Sequence, residues 1–352
     1  MPNESLEEQL LKSSLWLERY SSATQAEINT KLLLAQKKII ELISETKNKR
    51  IIASEINAIM NDAFSTFETI IADDLENISE LAYNSTNAII ATWVSAELAK
   101  GAKPFKDITK STRDKLLNPN TLIQGHTLED HLKHLETTTA RKMRGIILDG
   151  FDKGVGIEQI NRDIRNTIGI VDRNQSKTLI RSSILEQLNR AKEESFDYFS
   201  DEIINYEYSA KIDGRTSKYC LVADGYVTDN LKTAKYKPQS HYQCRSLWIP
   251  RTDISKEFDE ENIIVQWDDK TVNHRDGTTS TKFKVDKVKK IPANANGVNA
   301  FEYFDESYKK QYLGKTRYQL YKDGKATLKE MIDVSRNKYI PLDDLKRKLN
   351  LK

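Results

Sequence analysis

A chain of 352 residues, 38% hydrophobic and 30% charged, is long enough to bury at least one core and is expected to split into two or three domains. Fifty-five Lys and Arg stand against 52 Asp and Glu, a mixed surface that points to helix and away from a compact barrel enzyme, a collagen or a low-complexity chain. No stretch approaches the roughly 18–20 unbroken apolar residues of a membrane span, and Met1-Pro2-Asn3-Glu4-Ser5 is polar where a secretory leader is basic and then apolar, so folding in a cytoplasm is expected.

Ile28, Leu32, Ala35, Ile39 and Leu42 recur at alternating spacings of four and three, which draws one seam along a helix. About two heptads are too few for a coiled coil, so the spacing predicts a packed helical hairpin whose second arm carries Ile52, Ile56, Ile59, Ala63, Phe67 and Ile70. Asp73, Asp74 and Asn77 predict an interruption before an apolar helix over 78–99, which Gly101 to Pro104 would close. Two short polar helices are expected over 105–127, around Asn118-Pro119-Asn120. Thr127-Leu128-Glu129-Asp130 then has the form of a capping box opening a helix to about Asp149. After a connector from Gly150 to Gly156, Ile157, Ile160, Ile164 and Ile168 mark one amphipathic helix, and Ile180, Ile184, Leu188 and Ala191 mark the next, over 174–196. From Asp201 the pattern changes: 203–210 reads as a strand, and Asp213-Gly214, Asp224-Gly225 and Pro238 cut the next stretch into short pieces. Two further strands, 263–267 and 281–285, are expected to join through Asp276-Gly277 before the last fifty residues return to helix. The expected fold class is therefore α+β. It comprises a long helical region over 1–149, a small mixed, turn-rich β module with its helical lead-in over 150–252, and a basic strand-plus-helix region over 253–352.

Charge is uneven along the chain. Residues 281–352 carry eighteen Lys and Arg against nine Asp and Glu, a net +9 that leaves −6 for residues 1–280. A basic end of this kind fits contact with a phosphate backbone, and equally a solvated helical tail. Lys282, Lys284, Lys287, Lys289 and Lys290 fall in one nine-residue stretch. Lys282 and Lys284 would share one strand face, where they either meet DNA or guard a solvated edge. Two cysteines, Cys220 and Cys244, fit a reducing compartment as thiols or metal ligands. With His241 they supply three of the four positions of a tetrahedral zinc site, Asp213 or Asp224 being the candidate fourth; alternatively both cysteines are small buried hydrophobes and His241 bonds a turn. Of His126, His131 and His134, the last two, at i and i+3, read as exposed helix residues, Trp267-Asp268-Asp269 as a turn, and Tyr303, Tyr308, Tyr312, Tyr318 and Tyr321 as helix-packing aromatics. The minimum residues of a P-loop, a G-x-S-x-G elbow and an H-E-x-x-H zincin are all missing.

The run Asp213-x-x-Thr216-x-x-x-Cys220, the step Asp224-Gly225, and Pro238-x-x-His241-x-x-Cys244-Arg245 ending at Pro250 together resemble the signature of the Mu F-like head morphogenesis, or minor head, proteins of tailed bacteriophages. Gly156-Ile157, Arg181-Ser182-Ser183-Ile184 and Asn189-Arg190-Ala191 upstream, and Tyr303-Phe304, Leu313-Gly314 and Gly324-Lys325 downstream, extend the resemblance over about residues 150–345. It implies a non-enzymatic virion protein, assembled in the bacterial cytoplasm and situated in the phage head near the portal vertex. The implied partners are the portal and other head proteins, with double-stranded DNA a further candidate, and the implied roles are head morphogenesis and genome ejection. The N-terminal helices offer seams for docking to another protein or to a second copy. Many relatives end the signature in Cys-Arg-Cys where this chain has Ser246, and some carry cysteine where Ser217 stands. A neutral hydroxyl replaces a thiolate poorly as a ligand, so no cofactor is expected, with zinc on Cys220, His241 and Cys244 as the alternative. Asp213, Arg215, His241 and Arg245 are instead expected to knit the module by hydrogen bonds and ion pairs, with Thr216, Cys220, Asp224, Gly225, Pro238 and Cys244 completing the signature. The competing function is a metal-dependent nuclease working through His241 with Asp213 or Asp224.

Overall fold

A computed structural model describes residues 6–17, 20–46, 48–97, 105–118, 120–167, 173–213, 215–252, 261–273, 279–292 and 295–350. The fold is α+β and mostly helical, with small antiparallel sheets. No described helix is long and apolar enough to cross a membrane.

Helix α1 (Leu6–Leu17) leads into the expected hairpin of α2 (Tyr20–Glu45) and α3 (Lys49–Glu97). Ile28, Leu32, Ala35 and Ile39 of α2 face Ile52, Ile56, Ala63 and Phe67 of α3 in one apolar core. Ile59 and Ile70 are only partly buried, and Met60 and Ile71 take the inward places. The expected break at Asp73, Asp74 and Asn77 does not occur, because α3 runs through it as one helix of 49 residues. Asp73 and Asn77 lie on its exposed side, and Asp74 accepts a hydrogen bond from the Thr24 hydroxyl of α2. Charge on the solvent face costs a helix little when the apolar stripe continues beneath it, here from Ile71 to Ile78.

Between 105 and 127 one short helix, α4 (Lys110–Leu116), replaces the two expected, and the chain then turns through an Ile123–His126 bridge. The capping box holds: Thr127 accepts from the Asp130 N–H while Asp130 accepts from the Thr127 N–H, opening α5 (Leu128–Asp152). Helices α6 (Ile157–Asn166) and α7 (Arg173–Tyr198) complete the helical body, with Ile160, Ile164, Ile180, Ile184, Leu188 and Ala191 in the same core as the hairpin. Ile168, like the Gly101–Pro104 stop, lies outside the described residues.

Helix α7 is buried on its polar side too. Gln187 donates to Ser79 Oγ at 2.5 Å and to the Leu116 carbonyl at 3.0 Å, Asn189 to the Ser246 carbonyl at 3.3 Å, and Lys192 to the Leu10 carbonyl at 3.2 Å and to Ser14. These bonds fasten α7 to α3, α1 and the β module at once.

Strand β1 (Asn205–Ser209) is the centre of a three-stranded antiparallel sheet between β2 (Val227–Thr228) and β3 (Leu247–Arg251). Helix α1 covers β3: Leu6, Leu10, Trp93, Leu247 and Ile249 make a small core. At its edge Arg251 bonds Glu207 at 2.9 Å and Glu7 at 3.3 Å. A third core joins Phe196, Tyr208, Cys220, Cys244 and Trp248 to Phe301, Phe304, Tyr308 and Leu313, so the C-terminal helices close over the module. These are α9 (Gly297–Ala300), α10 (Glu306–Leu313), α11 (Lys315–Lys322) and α12 (Leu342–Lys348). The last fifty residues are not wholly helical, since β6 (Ile332–Asp333) and β7 (Lys338–Tyr339) pair in a small hairpin.

Between module and tail, β4 (Glu261–Asn273) and β5 (Thr279–Pro292) pair antiparallel over far more residues than the sequence suggested. Trp267-Asp268-Asp269 is mid-strand here and not a turn; Asp276-Gly277 lies outside the described residues. The register skips Asp286, since Gln266 faces Lys287 while Trp267 faces Val285. That bulge changes which face the lysines share. Lys282, Lys284, Lys287 and Lys289 oppose Lys270, Asp268, Gln266 and Ile264, residues two apart on β4 and hence on one face of the ribbon. Lys290 opposes Ile263 on the other face.

Candidate functional site

The signature residues gather in the connections of the three-stranded sheet, and their backbone is set by local bonds. The Thr216 hydroxyl accepts from the Asp213 N–H at 2.7 Å and donates to the Lys211 carbonyl at 2.7 Å, closing a tight turn. Ser217 then caps α8 (Lys218–Ala223) by accepting from the Cys220 N–H at 3.1 Å. Helix α8 buries Cys220, Leu221 and Ala223.

Asp213 and Arg245 form the pin of the module. Both Asp213 oxygens meet the guanidinium, each at 2.7 Å, with the aspartate side chain 0% and the arginine side chain 10% exposed. Asp213 also accepts from the Arg215 N–H at 2.8 Å, and the Arg215 side chain lies 3.7 Å away. Burial pushes the Asp213 carboxyl upward, but the Arg245 hydrogen bonds and charge outweigh it and hold the pKa below the ordinary carboxylate value.

Asp224 is a second clasp. It ends α8, and its two oxygens accept the N–H groups of Ala210 and Gly297, each at 2.6 Å. Burial nevertheless pushes its pKa up to about 8. Gly225, at φ +77°, donates to the Tyr208 carbonyl at 2.8 Å. Gly297 is packed so closely that an added Cβ would lie 2.2 Å from the Leu221 carbonyl oxygen. Sequence reasoning missed Gly297, because its partner is 73 residues away and no local pattern marks it.

The 238–246 loop brings back the remaining residues. Pro238 is partly buried at its start. Gln239 and Gln243 adopt left-handed φ values of +61° and +56°. Gln239 donates to the Cys244 carbonyl at 2.8 Å, and Gln243 takes its N–H to Ser182 at 2.9 Å and its side chain to Thr178 at 2.9 Å, tying the loop to α7. Neither glutamine was legible as a site residue. His131 is half-buried and not exposed as expected: its Nε2 lies 2.7 Å from the Ile123 carbonyl, and its ring meets Tyr242 edge-on.

Within this frame Cys220 Sγ, Cys244 Sγ and a His241 ring nitrogen lie within 4.8 Å of one another. His241 Nδ1 is 3.0 Å from the Tyr242 carbonyl, while Nε2 is 2.8 Å from Ser217 Oγ and 3.0 Å from Cys220 Sγ. The sulfurs are 3.5 Å apart, and Tyr208 donates to Cys220 at 3.3 Å. The hydrogen bond to Cys244, with burial, pushes the Cys220 thiol up to about 12. The same bond, with N–H donors from Ser246 and Gln239, draws Cys244 down to about 6 against its burial. Burial lowers the His241 pKa, yet the Cys220 sulfur and the Tyr242 carbonyl raise it further, for a net upward shift. Neither Asp213 nor Asp224 joins this cluster, which corrects both as fourth ligands: one is committed to Arg245 and the other to backbone N–H groups. Ser217 Oγ lies beside it instead, 2.8 Å from His241 Nε2.

Of the five C-terminal lysines, Lys289 has a described side chain, which donates to the Tyr303 carbonyl at 3.1 Å and pairs with Asp305. The side chains of Lys282, Lys284, Lys287 and Lys290 lie outside the described part. No curated protein and no solved structure shows significant similarity to the chain. A family model described as Phage Mu protein F like protein matches residues 141–249. That segment runs from within α5 to β3 and includes all ten signature residues, the pin and the clasp among them. Residues 141–249 of the chain are thus similar to the Phage Mu protein F like family.

Proposed function

We propose that this phage head-related protein is a non-enzymatic minor component of the virion head. In this reading it sits at the portal vertex, docks the portal through its N-terminal helices, lies against packaged DNA with its lysine-bearing ribbon, and acts in head morphogenesis and genome ejection. The observation that carries the architectural reading is the commitment of both signature carboxylates. Phosphodiester hydrolysis needs carboxylates open to a hydrated divalent ion, whereas Asp213 is closed on Arg245 and Asp224 on two backbone N–H groups. A nuclease would have to break the fold's own fastenings to work.

The DNA reading is supported by the net charge of residues 281–352 and by the bulge that lines up Lys282, Lys284, Lys287 and Lys289. Lysines two apart on a strand are about 6.8 Å apart, a spacing suited to successive phosphates. With Lys289 paired to Asp305, contacts from Lys282, Lys284 and Lys287 give a log K against log salt slope of about −2.7, and changing these three lysines to glutamine in the full chain should flatten it. A slope unchanged in that variant, or an affinity indifferent to salt, would remove DNA from the proposal. Density for the protein away from the portal vertex in a virion reconstruction would remove the portal.

A further inference from the structure

We propose that Cys220, His241 and Cys244 bind one zinc ion, with the fourth position taken by the Ser217 hydroxyl or a water beside it. In a tetrahedron with bonds of about 2.0–2.3 Å, neighbouring ligand atoms are about 3.3–3.8 Å apart. The sulfurs here are 3.5 Å apart and Cys220 Sγ is 3.0 Å from His241 Nε2, so a few tenths of an ångström of spreading admits the ion.

Three features beyond proximity point the same way. His241 Nδ1 donates to the Tyr242 carbonyl, which leaves the Nε2 lone pair free beside Cys220 Sγ and Ser217 Oγ, the tautomer and outer partner that metal-binding histidines use. Cys244 sulfur receives the N–H groups of Ser246 and Gln239, donors that hold a thiolate in place. The cluster also joins α8 to the 238–246 loop, so an ion there would cross-link two segments distant in sequence. In the zinc-bound site both sulfurs are thiolates, any proton they still carry passing to solvent, and their two charges balance the 2+ ion where Cys220 and Cys244 are 3% and 0% exposed. Ser217 Oγ, 2.8 Å from His241 Nε2, places one oxygen beside these three ligands.

The test uses the full chain, reduced and stripped with a chelator, then titrated with cobalt(II) and back-titrated with zinc. One equivalent of cobalt should give a thiolate charge-transfer band and tetrahedral d–d bands, and zinc should abolish both. His241→Ala should weaken binding by about 100-fold or more, beyond what an outer partner alone is worth. Should that variant fold poorly, His241→Cys restores a third ligand and should bind cobalt with a spectrum shifted towards three sulfurs. A wild-type chain that gives no such bands, an unchanged affinity in His241→Ala, or a Cys220–Cys244 disulfide in protein purified under reductant would each overturn the site.

Discussion

Removing one partner of the Asp213–Arg245 pair tests whether the signature is a fastening. The pair is bidentate at 2.7 Å, with the carboxylate wholly enclosed and the guanidinium 10% exposed, so its energetics are those of an interior ion pair. Asp213→Ala strips both oxygens from a charge that cannot regain water, at a cost of about 3–5 kcal/mol; Asp213→Asn, which keeps the shape, should cost about 1.5–3 kcal/mol. Arg245→Met should fall in the same range as Asp213→Ala, since it leaves the carboxylate without its main counter-charge. The double variant Asp213→Ala/Arg245→Met buries neither charge and should cost clearly less than the sum of the singles. Urea unfolding followed by circular dichroism reads these values from the midpoint at constant slope. High salt should leave the wild-type stability nearly unchanged, as screening reaches enclosed pairs poorly. Single variants each costing under about 1 kcal/mol, with an additive double, would be the behaviour of a surface pair and would refute the fastening role.

Glu186 and Glu193, on α7, are both raised to about 7, by burial first and then by neighbouring carboxylates, from an ordinary value of 4.5. The folded chain holds these protons more tightly than the unfolded chain does. Their contribution is therefore complete below about pH 4.5 and is lost as pH rises through about 7, by roughly 3 kcal/mol for each. Stability measured from about pH 5 to pH 8 should fall in the wild type, and Glu186→Gln and Glu193→Gln should each flatten the decline; an unaltered slope in the double variant would assign it to other groups. Gly297→Ala should destabilise by several kcal/mol, because the new methyl meets the Leu221 carbonyl at 2.2 Å, and a thermal midpoint within a degree of wild type would contradict the closeness of α8 to α9.

The helical body is legible because its periodicity is strong: the seam from Ile28 to Ile39 and the Thr127 capping box both report the backbone that carries them. Local polarity at Asp73 suggests a break only while the side of the helix it occupies is unknown. Strand length in the ribbon is underestimated from sequence for a related reason, as the apolar run of β4 gives way to Asp268-Asp269-Lys270 and the Lys282–Val285 alternation of β5 is broken at Asp286. In the site, residue types are readable and partnerships are not. Asp213 and Arg245 are 32 residues apart and Asp224 and Gly297 are 73 apart; only the folded chain says that they meet. The same holds for the bulge at Asp286, which the lysine spacing alone does not encode.

Helix α3, with 49 residues at about 1.5 Å each, is a rod about 73 Å long, and it passes through all three cores: Ile52 to Tyr83 in the first, Trp93 in the one beneath α1, and Ile90, Ala91 and Val94 in the one that holds the two cysteines. A rod so gripped behaves as a crowbar. Tilting the rod by about 5° would sweep one end through about 6 Å, so the hairpin tip near Asn48 and the core that holds the two cysteines are spanned by one unbroken lever.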